Sequence, residues 1–237
     1  MPNDFFRFQQ FTVNQSACAM KVGTDGVLLG AWADISGRKQ LLDIGAGTGL
    51  IALMCAQRSD AGITAVELDP AAAEQASENI QHSPWARRIE LHCMSFQKFA
   101  AECKTRFDVI ISNPPYFDNA RKAESKERTA ARHNDALPFT DLLKGASALL
   151  TDDGSFFCIL PAEERDRFLM LAESTGLYPK KEMITRTHCG KKPMRVLFEF
   201  TRNKTECSRR ELIVHEEGKA EYSAEYKAIT KGFYLNF

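Results

Sequence analysis

Between Gln40 and Leu160 two hydrophobic rhythms alternate along the chain. Short apolar runs, "LLDIG" (41–45), "ITAVEL" (63–68), "IELHCM" (89–94), "FDVIIS" (107–112) and "SFFCIL" (155–160), have the length and composition of buried strands. Between and after them, "GLIALMCAQR" (49–58), "DPAAAEQASENIQ" (69–81), "FTDLLKGASALL" (139–150) and "PAEERDRFLMLAEST" (161–175) carry helical spacing. Strands alternating with helices predict right-handed crossovers and a doubly wound, mainly parallel α/β sheet covered on both faces. Later runs at Glu182–Thr187 and Arg195–Phe200 predict two more strands that complete the sheet with an antiparallel edge strand. Asp69 is placed to cap the helix after "ITAVEL", Pro70 suits its first turn, and Ala73, Ala76 and Ile80 share its apolar face. Pro161 suits the first turn of the helix that it precedes. No repeat or linker interrupts residues 1–237, which read as a single domain: an N-terminal cap segment (1–39), then an α/β core (40–237).

Composition narrows the class without fixing it. Hydrophobic residues make up 44% and charged residues 26% of the 237, as in an ordinary folded protein. Thirty-one Lys and Arg balance 31 Asp and Glu, so only local clusters speak for or against an anionic partner. Seven cysteines, odd in number and with no C-x-x-C pair, argue against a disulfide framework and against a zinc or other metal site. Cys55, Cys93 and Cys158 lie in apolar runs, where a thiol behaves as a small hydrophobe. No apolar run approaches the roughly 20 residues of a bilayer span, and no signal pattern opens the chain. The expectation is a soluble cytoplasmic protein.

The chemistry is concentrated at two strand ends. "DIGAGTG" (43–49) joins a strand to a helix, and Gly45, Gly47 and Gly49 let its backbone turn tightly and approach a ligand. Its G-x-G-x-G spacing departs from the G-x-G-x-x-G of dinucleotide sites, since position 50 is Leu. Twenty residues beyond Gly47, Glu67 stands beside Leu68 at a strand's carboxyl end, placed to accept hydrogen bonds from ribose hydroxyls. Asp43 is placed to attract a ligand's ammonium group. At the end of "FDVIIS" come Asn113, Pro114, Pro115 and Tyr116. Two prolines remove N–H donors, Asn113 adds a carbonyl acceptor and Tyr116 a flat face, a set suited to holding a planar NH2 group. Taken alone, "NPPY" also reads as a loop terminator.

The acid before the glycines, the glycine run and Glu67 together resemble class I methyltransferases, and "NPPY" resembles their amino-methylating branch. The resemblance implies a Rossmann-like fold and S-adenosyl-L-methionine as methyl donor. It implies a planar nitrogen acceptor: adenine N6, cytosine N4, guanine N2 or a glutamine amide. "MKVGTDGVLLGAW", "SNPPYF", "ARHNDALPF", "KPMRVLFEF" and "YSAEYKAITKGFYLNF" extend the likeness to the chain's end and resemble the bacterial tRNA1(Val) adenine N6-methyltransferase family. That family implies a tRNA anticodon stem-loop as partner, N6-methyladenosine as product, and RNA binding by a protein expected here as a monomer.

On this resemblance, Asn113, Pro114, Pro115 and Tyr116 are the expected catalytic residues, with Asp43, Gly45, Gly47, Gly49, Glu67, Leu68 and Asn113 at the cofactor. Lys21, Thr24 and Asp25, in the N-terminal block, are expected near the cofactor or target base. The acid that many class I methyltransferases place for the cofactor's adenine amine is missing from "HCMSFQKF"; Ser95 or a backbone carbonyl is expected in its place, with Phe96 stacking on the base. A basic substrate loop at about 117–136 supplies Phe117, Arg121, Lys122, Lys126, Arg128, Arg132 and His133 toward RNA. A second cluster, with Lys180, Lys181, Arg186, Lys191, Lys192 and Arg195 opposed by Glu182, is also expected to face phosphate, although such runs are commonly solvated faces. A glutamine N5-methyltransferase of release factors is the rival enzyme; its helical N-terminal domain does not fit the 40 residues before "LLDIG". A non-catalytic RNA-binding module is the rival outside enzymology.

Overall fold

The computed structural model describes residues 3–18, 20–114 and 137–236. After a short hairpin, β1 (Phe5–Arg7) and β2 (Thr12–Asn14), and helix α1 (Thr24–Trp32), come β3 (Gln40–Ile44), α2 (Leu50–Arg58), β4 (Gly62–Glu67), α3 (Pro70–Gln81), β5 (Ile89–Cys93), α4 (Phe96–Glu102) and β6 (Phe107–Ser112). The second half carries α5 (Phe139–Leu149), β7 (Leu150–Pro161), α6 (Arg165–Ser174), β8 (Tyr178–Arg186), β9 (Arg195–Thr201), β10 (Ser208–Ile213) and α7 (Ala224–Thr230).

Consecutive apolar residues in the central strands feed opposite cores, which is why those strands read as unbroken hydrophobic runs. Leu41, Val109, Ile111, Phe157, Ile159 and Leu197 pack with residues of α1, α2, α3 and α7. Their neighbours Leu42, Ile110, Phe156, Cys158, Leu160 and Phe198 pack with α4, α5 and α6 on the other face. Each such side chain contributes about 1.5–3 kcal/mol by leaving water.

The main sheet has the order β10-β8-β9-β7-β6-β3-β4-β5. The chain winds outward from β3 to β4 and β5, all parallel, then returns to place β6 on the opposite side of β3. The reversal lies between β3 and β6, the place where open α/β sheets present a crevice at their carboxyl ends. There the buried Ser112 hydroxyl donates to the Ile44 carbonyl at 2.9 Å, fixing the two strand ends to each other. The antiparallel component is β9, inserted between β7 and β8, and β10 then runs parallel to β8 as the outermost strand.

Several sequence expectations shift in detail. "GTDG" (23–26), turn-prone in composition, opens α1: Gly23 caps it, and Asp25 sits in its first turn, where the helix dipole favours an acid. The helix expected from Pro161 begins at Arg165, because β7 pairs with β9 through Pro161 and a short 3-10 turn follows. Cys93, expected among the apolar groups, is exposed as the last residue of the edge strand β5. The β1–β2 hairpin, α4, β10 and α7 were not signalled by periodicity. The hairpin and α7 belong together, since Gln9 donates through its amide nitrogen to the Lys231 and Tyr234 carbonyls at 3.0 and 2.7 Å.

Candidate active site

At the carboxyl ends of β3, β4 and β6 lies a cleft of about 680 Å³. Its floor is the loop after β3. Gly45, Gly47 and Gly49 have φ of +73°, +54° and +79°, in the left-handed region where a side chain is strained. Among the described residues a Cβ on Gly45 or Gly47 would meet nothing within 4 Å beyond its own chain neighbours, and both residues line the cleft. The space left by these two missing side chains opens onto the cleft. Gly49, by contrast, caps α2 and backs onto Ala76 of α3, where an added Cβ would come within 3.5 Å of the Ala76 Cβ.

The loop is held from three sides. The Gly45 and Ala46 N–H groups donate to the Val66 carbonyl at 2.9 and 3.1 Å. The Glu67 carboxylate accepts from Gly47 N–H through Oε2 and from Asp69 N–H through Oε1, each at 2.8 Å. Asn79, buried in α3, donates to the carbonyls of Thr48 and Asn14 at 2.9 and 2.8 Å, so the N-terminal hairpin braces the same loop. Glu67 is therefore pre-oriented by two backbone donors, with further lone pairs for a ligand.

Beneath the loop, Asp43 is 2% exposed; its Oδ2 accepts from Ala52 N–H at 3.0 Å while Oδ1 has no hydrogen-bond partner among the described residues. Burial pushes its carboxyl up to about 7; the Ala52 donor works against that shift and the nearby Glu67 charge adds to it. Burial likewise pushes the Cys18 thiol on the cleft wall up to about 11, with Glu67 and Asp69 adding to the shift.

Beyond Glu67 the walls are apolar: Val66, Leu68, Met94 and Phe96, with Gln97, Leu137 and the N-terminal Met20 at the margin. Asn113, at the end of β6, lines the same cleft. Glu67 and Asp69 face the cleft and no Lys or Arg does so among the described residues. That balance suits a ligand with net positive charge and disfavours the diphosphate of a dinucleotide.

Of the expected residues, Gly45, Gly47, Glu67, Leu68, Phe96 and Asn113 are brought together here. Asp43 lies directly below, capping α2 rather than facing the opening. Gly49 and Ser95 shape the walls from behind: the Ser95 hydroxyl caps α4 by accepting from Lys98 N–H at 3.3 Å. The Phe96 ring is buried against α5, where it fills the space left by Gly145. Lys21, Thr24 and Asp25 stand outside the lining; Asp25 instead accepts from Arg195 at 2.7 Å, so the two neutralise each other. Pro114 is buried beside Asn113. Pro115, Tyr116, Phe117, Arg121, Lys122, Lys126, Arg128, Arg132 and His133 lie outside the described residues. Lys191 and Lys192 are exposed on the β8–β9 connection. Sequence reasoning passed over Cys18, Met20, Asp69, Met94 and Gln97 as lining residues. Gln97 had one readable signal, its place directly after Phe96.

Among the described residues no cluster of His, Cys, Asp or Glu is arranged to hold a metal, and no helix is long and apolar enough to cross a membrane.

Comparison with known proteins agrees with this geometry. Residues 22–174 match the methyltransferase small domain. A tRNA1(Val) (adenine(37)-N6)-methyltransferase of Bacteroides thetaiotaomicron is 48% identical over 238 residues, covering 100% of this chain and 99% of its own. The protein of the same name from Bacteroides fragilis is 46% identical over 236 residues, covering 99% of both chains. Among solved structures, a predicted O-methyltransferase from Agrobacterium tumefaciens superposes with a TM-score of 0.69 at 21% identity, over 88% of this chain and 96% of its own. A ribosomal protein L11 methylase from Lactobacillus delbrueckii gives 0.59 at 14% identity, over 81% and 84%. At such identities the structural likeness speaks for the fold alone.

Proposed function

We propose, because the chain belongs to the tRNA1(Val) (adenine(37)-N6)-methyltransferase family, that it methylates N6 of the adenine 3′ of the anticodon in that tRNA, with S-adenosyl-L-methionine as donor. One observation carries the chemistry: Asn113 lines the same cleft as Gly45, Gly47 and Glu67, with its strand end fixed to that of the glycine loop through Ser112 and Ile44. The choice of tRNA rests on the relatives' names and on their identity over essentially the whole chain.

The cleft fits the donor. Its acids match a ligand that carries an ammonium and a sulfonium, the two open glycines accommodate the amino-acid part, and Glu67 has acceptor capacity left for two ribose hydroxyls. Leu68, Met94 and Phe96 offer the apolar slot that an adenine ring requires. Bound there, S-adenosyl-L-methionine supplies an electrophilic methyl group on sulfur.

The protein's own part is to present the acceptor nitrogen. An exocyclic amine delocalises its lone pair into the ring and is a weak nucleophile. The Asn113 side-chain carbonyl and the carbonyl of Pro114, accepting its two hydrogens, draw the nitrogen toward pyramidal geometry and aim the lone pair at the cofactor side. Tyr116 stacks on the base. Alignment and electrostatics are the main catalytic means; once alkylated, the nitrogen sheds its proton readily, so no strong base is required. An anticodon-loop base costs little to turn out of its stack.

Lys191 and Lys192, with the basic residues of 117–136, contact phosphates around the loop. The protein acts in the cytoplasm as a monomer. The test is nucleoside mass spectrometry of tRNA1(Val) transcript incubated with protein and donor. N6-methyladenosine is expected with the natural transcript and absent when the adenine 3′ of the anticodon is replaced by guanine. Methylation of release-factor glutamine without methylation of the transcript would transfer the reading to the rival enzyme.

A further inference from the structure

Ser95 stands where many class I methyltransferases place an acid for the cofactor's adenine amine, and Gln97, two residues on, is an amide on the cleft lining with a defined hydrogen bond. Gln97 lies on the cleft wall directly after Phe96, in the first turn of α4. Its Nε2 donates to Asp141 Oδ2, in the first turn of α5, at 3.1 Å. A carboxylate only accepts, so the amide's nitrogen must be the atom turned toward Asp141 and its carbonyl oxygen the atom turned away. Gln97 Oε1 makes no hydrogen bond among the described residues. Two other side-chain acceptors lie nearby: the Ser95 hydroxyl takes Lys98 N–H and lies outside the lining, and Asp69, on the lining beside Glu67, takes Ala71 N–H through Oδ1 at 2.9 Å to cap α3.

We propose that Gln97, held in one amide orientation by Asp141, accepts a hydrogen bond from the exocyclic amine of the bound cofactor's adenine and so selects adenine over bases lacking that amine. The inference rests on the reading of the cleft as an S-adenosyl-L-methionine site. A neutral acceptor also adds no further negative charge beside Glu67 and Asp69. Asp141 is a positioning residue: it touches Gln97 and not the base.

The test measures binding rather than turnover. S-adenosylhomocysteine and its analogue with purine in place of adenine, lacking the amine, are titrated calorimetrically into the full chain. The wild type is expected to bind S-adenosylhomocysteine about threefold to tenfold more tightly than the purine analogue, the usual range for one neutral hydrogen bond. Gln97→Ala is expected to bring the two affinities near parity by weakening the adenine ligand alone. Asp141→Ala, which frees the amide to rotate, is expected to narrow the ratio partway while leaving Gln97 in place. Asp69→Asn, which keeps a capping oxygen but removes one acid from the cleft, is expected to weaken both ligands alike and so to keep the wild-type ratio. A wild-type ratio of one, or an unchanged ratio in Gln97→Ala, would overturn the assignment. Failure of the wild type to bind either ligand would remove the cofactor reading beneath it.

Discussion

Gly47→Ala and Gly49→Ala form a matched pair that separates what the glycine loop does for folding from what it does for a ligand. Both residues have positive φ, +54° and +79°, so an alanine at either site costs about 1–2 kcal/mol of left-handed strain. Neither costs a clash among the described residues: the added Cβ meets nothing within 4 Å at Gly47, and at Gly49 its nearest contacts are with Ala76, the Cβ at 3.5 Å and the Cα and carbonyl oxygen at 3.7 Å, all ordinary contacts. For a chain of 237 residues each variant is therefore expected to melt about 2–8 °C below the wild type. Only Gly47 lines the cleft, so only its new methyl group occupies ligand space. Its backbone N–H also orients Glu67, and a shift of that N–H loosens the carboxylate. S-adenosylhomocysteine affinity, by calorimetry at a temperature where both variants are folded, is expected to fall at least tenfold for Gly47→Ala. It is expected to stay within about threefold of wild type for Gly49→Ala, since 1.4 kcal/mol is a factor of ten. Equal losses of affinity in the two variants would refute the claim that the open side of Gly47 is ligand space.

Asn113→Ala is expected to lower single-turnover methylation about a hundredfold or more while leaving S-adenosylhomocysteine affinity within about twofold, because the contact proposed for it is to the acceptor nitrogen; equal losses in both would contradict that role. Asp43, raised to about 7 in the folded protein, binds its proton more tightly folded than unfolded. Its contribution is thus fully present below about pH 4 and is lost as pH rises toward 7, with a slope of at most about 1.4 kcal/mol per pH unit. Urea unfolding from pH 5 to 8 is expected to lose that slope in Asp43→Asn, which keeps an acceptor for Ala52 N–H and buries no charge. For tRNA binding, the Lys191→Ala/Lys192→Ala double variant is expected to reduce the slope of log K against log salt by about 1.4–1.8, two phosphate contacts' worth. Lys180→Ala/Lys181→Ala is expected to leave it unchanged.

That last contrast shows where the sequence stopped being readable. Core strands, the capped helix at Asp69 and Pro70, and the glycine turn were legible because each is written in contiguous residues with a fixed period or a fixed backbone demand. Helix α4 was not, since it is only seven residues long and its two buried phenylalanines give too short a pattern to register as a period. Outer strand β10 was missed for the opposite reason: four of its six residues are exposed, so little hydrophobic signal marks it. The strand ends carrying Gly45, Gly47, Glu67 and Asn113 meet at one crevice, whereas Asp25, expected near the cofactor or target base, and Arg195, counted in a basic cluster, were read as separate charges. In the fold these two are an ion pair joining residues 170 positions apart, a relation no local pattern records. The same holds across the basic cluster. Lys180 and Lys181 flank the buried Glu199 at 3.0 and 2.9 Å, and Arg186 pairs with Glu211 at 3.0 Å. Burial works to raise the Glu199 carboxyl, and the hydrogen bonds and charges of Lys181 and Lys180 outweigh it and hold the group below its ordinary value. Of six cations counted along the chain, Lys191 and Lys192 are the two without an ion pair among the described residues. A phosphate that approached Lys180 or Lys181 would have to compete with a buried carboxylate for its charge, and uncovering that carboxylate would cost several kcal/mol. The affinity for an anionic backbone is therefore expected to follow Lys191 and Lys192 on the β8–β9 connection, and a count of basic residues overstates it.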